Sequence, residues 1–231
     1  MISITPSPSL PIAALANSFE HVTTSYKFYW FLALLESVNE NDERVFEIDS
    51  LLARMIAHAW YVVNDLRLSL GDNDQLKKLI DLLIKNSSLD IDSSRDCIIQ
   101  TVLTHLQQED NIGRKIRSLE RYVPYRFIRP FFDQALRGLK DQECNRRIRD
   151  LADWSFTSPQ PCLYRFVNIP APAIEIHPGW QLYLQRHRSV LTKFCLRHLT
   201  NYLQKNNPNV PSIAEKLFES QTKDSLPGHL S

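Results

Sequence analysis

Glycine is scarce in this sequence, with only 5 residues among 231. No GxGxxG or GxxxxGK[ST] string occurs, so the sequence offers no glycine-rich loop of the kind that cradles nucleotide phosphates. The same scarcity argues against a turn-rich, all-β architecture. The hydrophobic and charged fractions, 43% and 23%, are those of an ordinary globular protein.

Long hydrophobic runs and closely spaced cysteines are also absent. The most apolar stretch, residues 28–35, is about half as long as the ~20 residues that a membrane-spanning helix needs. The N-terminal stretch has no positively charged start, so we predict no signal peptide. No CxxC pair occurs among the four cysteines, which are Cys97, Cys144, Cys162 and Cys195. We therefore expect a cytoplasmic protein with free thiols and no membrane partner.

Helical periodicity dominates the chain and predicts a mainly α fold. We expect a multi-helix bundle with a buried central helix and at most one small β-hairpin near residues 160–177. Between positions 51 and 63 only Arg54 and His58 are polar, and a helix that is apolar all round belongs at the centre of a bundle. Residues 155–178 hold five prolines and two short alternating runs, which favour the hairpin.

The predicted domain organisation is simple. Early prolines predict an extended arm over residues 1–15, and residues 221–231 are predicted to form a polar tail. The remainder, 16–220, is predicted to be a single helical domain with an acidic half, 16–110, and a basic half, 111–220. Within the acidic half, the stretch NENDERVFEID is predicted to connect two helices.

Charge is divided unevenly along the sequence. Residues 1–110 carry 8 basic and 16 acidic residues, a net charge of −8. Residues 111–150 carry 11 basic and 5 acidic residues, a net of +6, and residues 151–231 carry 8 and 5, a net of +3. The near-neutral total of +1 therefore hides a strongly basic centre, which points to a polyanionic partner.

The basic residues fall into two helical stripes. At 100° per residue, three arginines between positions 114 and 121 lie within about 60° of one another, opposite an apolar face. Three cations between positions 186 and 197 lie within about 40° on a second helix. We predict a phosphate-binding surface for double-stranded DNA, formed by Arg114, Lys115, Arg117, Arg121, Arg186, Lys193 and Arg197. The alternative is a solvated face that pairs with the acidic half.

The stretch between the stripes, RYVPYRFIRPFF at residues 121–132, alternates arginines with aromatic residues. Aromatic rings beside cations suit stacking on unpaired bases. Phe127, Phe131 and Phe132 follow a proline break, however, and such residues more often close a helical core. The core interpretation is favoured for these three phenylalanines, and stacking on bases remains the second interpretation of the stretch.

Catalytic chemistry has little support in the sequence. His58, His187 and His198 lie among apolar positions, so we expect them in the core. No second pair with ligand spacing accompanies Cys195 and His198. Glu175 and His177 lack the further carboxylates that a metal-dependent nuclease needs. We therefore assign no catalytic or metal-binding residue, and leave open whether the chain is an enzyme.

Three stretches together resemble the helical N-terminal region of bacterial HNH endonuclease-domain proteins. They are TSYKFYWFLALLESV at 24–38, LLARMIAHAWYVVNDLRLSLG with DQLKKLI at 51–80, and WQLYLQRHRSVLTKFC with YLQKNNPNVPSI at 180–213. VPYRFIRPFF is similar as well. The resemblance is a pattern of aromatic and Pro/Asn landmarks, in the right order over most of the chain.

The resemblance implies a DNA-targeting helical domain of nuclease ancestry, in a system of the restriction or defence type. In the family the HNH module follows a segment similar to NPNVP. In this chain about 20 residues follow Pro211, whereas a ββα-metal module needs roughly 40. We therefore expect a truncated or stand-alone form without a cofactor, the divalent metal belonging to a separate or lost module.

Two rival functions stay open. The first is a helical interaction or inhibitor module whose basic face docks on an acidic protein. The second is an intact metal-dependent nuclease with a site around Glu175 and His177. The sequence does not specify the oligomeric state.

Overall fold

The computed structural model describes residues 4–38 and 43–217, apart from the side chains of residues 141 and 142. These residues are mainly helical, which confirms the predicted fold class. The helices are α1 (Ile12–Asn17), α2 (Tyr26–Ser37), α3 (Ile48–Asn64), α4 (Leu76–Asn86), α5 (Arg95–Gln108), α6 (Asn111–Glu120), α7 (Val123–Ile128), α8 (Asp141–Ser155) and α9 (Pro178–Asn206). A 3-10 segment, Arg129–Leu136, connects α7 to α8. The strands are β1 (Val45–Glu47), β2 (Tyr164–Asn168) and β3 (Pro172–Ile176).

Two buried helices, α2 and α3, form the centre of the bundle and pack on each other. They are apolar on nearly every side, so other elements must surround them. The predicted central helix corresponds to α3. Its two polar side chains, Arg54 and His58, lie 2.7 Å and 2.8 Å from carboxylate oxygens of Glu36 at the end of α2, so one carboxylate contacts both of them inside the bundle.

The small sheet is antiparallel, with strand order β1-β3-β2. Strands β2 and β3 form the predicted hairpin, in which Tyr164 lies opposite Ile176. Strand β1 is an addition to the prediction, because the sequence predicts only an acidic connection at this segment. Phe46 is buried opposite Ile174. A three-residue strand with one inward side chain is too short to show alternation in the sequence.

The N-terminal segment is only partly extended. Helix α1 begins at Ile12, inside the predicted arm, and the side chains of Leu10 and Leu15 are buried. Pro11 precedes the helix, a place where its missing N–H costs no helical hydrogen bond. The arm therefore packs against the core. The predicted polar tail, 221–231, and residues 218–220 lie outside the described residues.

Helices α5 and α6 approach each other unusually closely. A Cβ atom at Gly113 would lie only 2.0 Å from the carbonyl oxygen of His105, so only glycine fits there. Asp110 caps α6 by accepting a hydrogen bond from the Gly113 N–H at 2.8 Å, and it lies 2.6 Å from His105. These contacts fix α6 against α5. No helix in the described part of the chain is both long and apolar enough to cross a membrane.

Candidate nucleic-acid interface

Three neighbouring cavities meet at the junction of α6 and α7, where Tyr122 and Arg126 line all of them. The α4–α6 cavity has a volume of about 600 Å³. The α2 cavity, at the start of α2, has a volume of about 210 Å³. The α8 cavity, against α8, has a volume of about 410 Å³. Together we call these three cavities the basic groove.

The basic groove owes its name to its lining. Its cationic residues come from four helices and the 3-10 segment, or from their immediate ends. They are Lys27, Lys78, Lys115, Arg121, Arg126 and Arg129. None of the described lining residues is acidic. A concave surface lined by charges of one sign concentrates the electrostatic field and attracts counter-ions.

Helix α4 shows how neighbouring lysines differ in role. Lys77 lies 3.2 Å from Asp81 one turn along the helix, an exposed pair that balances its charge locally. Lys78 faces the α4–α6 cavity beside Leu79 and Leu82, and has no ion pair to a described residue. The amphipathic pattern of α4 therefore leaves one lysine uncompensated at the cavity edge.

A buried carboxylate, Asp74, fixes two walls of the groove. It accepts hydrogen bonds from the Ser25 N–H and hydroxyl, both at 2.6 Å, and from the Leu76 N–H at 2.9 Å. It thereby satisfies free N–H groups where α2 and α4 begin. Burial raises the pKa of Asp74, while these hydrogen bonds act in the opposite direction. The Tyr26 hydroxyl also accepts a hydrogen bond from the Gln75 N–H at 2.7 Å.

The α2 cavity is the smallest of the three, and Lys27, Arg126 and Arg129 line it. Lys27 lies half-buried in the first turn of α2, where a positive charge also opposes the helix dipole. The pKa of Lys27 is lowered to about 8, chiefly by burial; the charge of Asp133 acts in the opposite direction, and those of Arg129 and Arg126 contribute to the lowering. A bound anion would relieve this crowding of cations.

Tyr122 is the exposed aromatic residue of the groove. Its side chain is 47% exposed, and the Arg126 guanidinium lies over the ring, 5.0 Å from its centroid. This is a cation–π contact. The other aromatic residues of the 121–132 segment are more buried: Phe127 is fully buried, and Tyr125 stacks on Phe166 at 4.3 Å. The core interpretation of the three phenylalanines is confirmed, because Phe127 is fully buried and those at positions 131 and 132 are partly buried against the core. Tyr122 was not part of that interpretation.

Comparisons with known proteins found no relative. No family model matches the chain, and neither a curated protein nor a solved structure is similar to it. The resemblance to HNH endonuclease-domain proteins therefore stays a prediction, and function must be inferred from the groove.

The four site residues predicted around α6 have separated roles. Lys115 and Arg121 line the groove. Arg114 is exposed but does not line any of the three cavities. Arg117 lies 2.9 Å from Asp49 and donates a 3.3 Å hydrogen bond to the Leu106 carbonyl. It joins α6 to α3 and α5, so for Arg117 the alternative of pairing with the acidic half describes the observed contact.

The three site residues predicted on α9 do not line the groove. Arg186, Lys193 and Arg197 are exposed. The backbone leaves helical geometry at His187, with φ −107° and ψ 15°. The angular positions calculated for an unbroken helix therefore do not carry across from Arg186 to the other two residues. His187 itself is half-buried against Tyr183, with ring centroids 4.6 Å apart.

Glu175 and His177 have structural partners. Glu175 lies 2.8 Å from Arg165 on the neighbouring strand, and that arginine also pairs with Asp153 at 3.2 Å. The His177 ring accepts a hydrogen bond from the Gly179 N–H at the start of α9. Among the described residues, no group of three or more His, Cys, Asp or Glu could hold a metal ion.

Several groove residues were not predicted from the sequence, because they come from separate parts of the chain. Lys27 and Lys78 lie on α2 and α4, in the half of the sequence that is acidic overall. Arg126, Arg129 and Tyr122 lie in the arginine–aromatic stretch, which did give a signal. That alternation indicated an aromatic ring beside cations, although periodicity alone did not distinguish the exposed Tyr122 from its buried neighbours.

Proposed function

We propose that this chain binds DNA through the basic groove. The observation that carries the proposal is the shared lining of three adjoining cavities, with six cations and no acidic residue among the described lining side chains. Lys and Arg that neutralise phosphates release condensed counter-ions, which drives binding. The shared lining brings several of these cations to one concave surface, where phosphates of a DNA backbone can contact them.

The acidic residues favour an orientation in which the groove faces the DNA. Asp49, Glu36 and Glu175 pair with arginines inside the fold, so part of the negative charge stabilises the structure. The remaining acidic surface would repel a phosphate backbone and leave the groove as the preferred approach. Contacts of this kind set position and affinity and read no base sequence.

A targeting role beside a nuclease module is part of this proposal. It comes from the predicted resemblance to HNH endonuclease-domain proteins, and the divalent metal would then be held by that module. A cytoplasmic location likewise stays a prediction.

The proposal is tested by fluorescence anisotropy of a labelled DNA duplex at salt concentrations from about 50 to 300 mM. We expect log affinity to fall linearly with log salt concentration, by about 0.9 in slope for each phosphate contact. Lys115→Ala should reduce the slope by about 0.9. Arg114→Ala is the matched control, because this neighbouring, exposed cation lies outside the groove lining and should leave the slope unchanged.

Two outcomes would contradict this assignment. If Arg114→Ala lowered the slope and Lys115→Ala did not, DNA would bind the outer face of α6 instead of the groove. If the protein bound no duplex at the lowest salt concentration, the proposal that it binds DNA would be wrong. The rival function, docking of the basic face on an acidic protein, would then become the leading one.

A further inference from the structure

The α4–α6 cavity is more apolar than phosphate binding requires. Leu79, Leu82 and Leu119 form part of its wall, together with the rings of Tyr26 and Tyr122. A phosphate backbone gains little from such a surface, since it binds through charge. A volume of about 600 Å³ lies within the ~300–1,000 Å³ typical of small-molecule sites. The cavity therefore suits a flat, largely apolar group that is attached to a chain of phosphates.

The adjoining α2 cavity has the complementary character. It is smaller, about 210 Å³, and Lys27, Arg126 and Arg129 line it together with the threonines at 23 and 24. Ammonium, guanidinium and hydroxyl groups are the usual donors to phosphate oxygens. Tyr26, Tyr122 and Arg126 line both cavities, so a base in one and its phosphate in the other would be neighbours.

We propose that the groove holds one unpaired nucleotide of DNA, with its base in the α4–α6 cavity against Tyr122 and its phosphate in the α2 cavity. This inference rests on the proposed DNA binding. Aromatic rings stack on bases without sequence preference, because every base has a π-face. The hydrogen bond that Tyr26 accepts from Gln75 fixes this side chain before a ligand binds. The entropic cost of ordering the cavity wall on binding is therefore lower.

The cations that extend beyond the apolar cavity favour a nucleic acid over a single amphiphilic anion. A fatty acid has one charged end, whereas Arg121 and Arg129 extend the positive lining into the α8 cavity. A DNA strand has phosphates both before and after the unpaired base. The continuous lining matches that repeating charge.

The test compares three labelled DNAs of the same length by anisotropy: an intact duplex, a duplex with a one-nucleotide bulge, and the same bulge carrying an abasic residue. We expect the bulged duplex to bind about tenfold more tightly than the other two. Tyr122→Ala should remove the difference, and Tyr122→Phe should keep it. Trp154→Ala is the control for an exposed aromatic, 73% exposed and outside the lining of the groove.

The outcomes separate this inference from the proposed function. Equal affinity for the intact and bulged duplexes would overturn nucleotide capture and leave backbone binding in place. An abasic bulge that binds as tightly as the normal bulge would also overturn it, because flexibility and not the base would be recognised. An advantage for the bulge that survives in Tyr122→Ala would overturn the stacking role. No binding to any of the three DNAs would instead reject the proposed function.

Discussion

The basic groove and the outer face of α9 carry cations of the same kind in different settings. In the groove, six cations from several elements line a concave surface. On α9, Arg186, Lys193 and Arg197 are exposed along one helix that is bent at His187. Low-dielectric walls strengthen the field inside a cleft, whereas solvent and salt screen charges on an outer helix face. We therefore expect the placement of the cations to affect DNA binding more than their number.

The largest difference in DNA binding is expected between two triple variants, one that removes three cations from the groove and one that removes three from α9. Lys78→Ala, Lys115→Ala and Arg121→Ala combined should lower the salt slope of DNA binding by about 2.7, at about 0.9 for each contact. The matched triple variant Arg186→Ala, Lys193→Ala and Arg197→Ala should leave the slope unchanged. Anisotropy measured over the same salt range compares them directly. A larger loss in the α9 variant would reverse the comparison.

A backbone change should affect the groove without removing any cation. Gly113→Ala places a methyl group against the His105 carbonyl oxygen, so α6 must move away from α5. We expect the free energy of unfolding to fall by about 3 kcal/mol, as measured by urea denaturation, and DNA affinity to fall as the Lys115 wall shifts.

The control for this change is Gly138→Ala. Gly138 has φ +80° and no described atom within 4 Å of a new Cβ, so only backbone strain of about 1 kcal/mol is expected. DNA affinity should stay as in the original protein. If Gly113→Ala bound DNA with full affinity in its folded state, the position of α6 would not matter for binding.

The smallest effect is expected in the pH dependence of DNA affinity. The pKa of Lys27 is about 8, so its amine is charged below pH 8 and loses its proton above it. A bound phosphate raises that pKa, so binding should be full below pH 8 and weaken by up to tenfold per pH unit above it. Asp133, Arg126 and Arg129 are the charged groups that act on this amine.

Lys27→Arg provides the control, because arginine stays charged throughout this range. Its affinity should be constant between pH 7 and 9.5 at fixed ionic strength. Identical pH profiles for Lys27→Arg and the original protein would show that the α2 cavity binds no phosphate.

The sequence predicted the parts of the molecule whose pattern repeats locally. Helix α3 was predicted from its continuous apolar surface, and the hairpin of β2 and β3 from short alternating runs between prolines. Strand β1 was missed because its pairing partner, β3, lies more than a hundred residues away, and pairing at that distance leaves no local pattern. The kink at His187 also has no local signal, as neither proline nor glycine occurs there.

The candidate site was less predictable than the fold, for a related physical reason. Helical periodicity identifies residues on one face of one helix, and it thus grouped Arg121 with Arg114 and Arg117, whereas Lys115 lies about 100° from Arg114. It does not indicate which face has a partner elsewhere, so the ion pair between Arg117 and Asp49 was not foreseen. A concave site formed by several elements has no period in the sequence.

Asp74 gives the groove a property that none of its lining residues provides. One carboxylate holds the first turns of α2 and α4, the helices that carry Lys27 and Lys78. The starts of these two helices are therefore joined by a shared anchor behind the surface, so a ligand in the groove meets walls that do not move independently. Selectivity for the size of that ligand would then be inherited from a buried residue that the ligand never contacts.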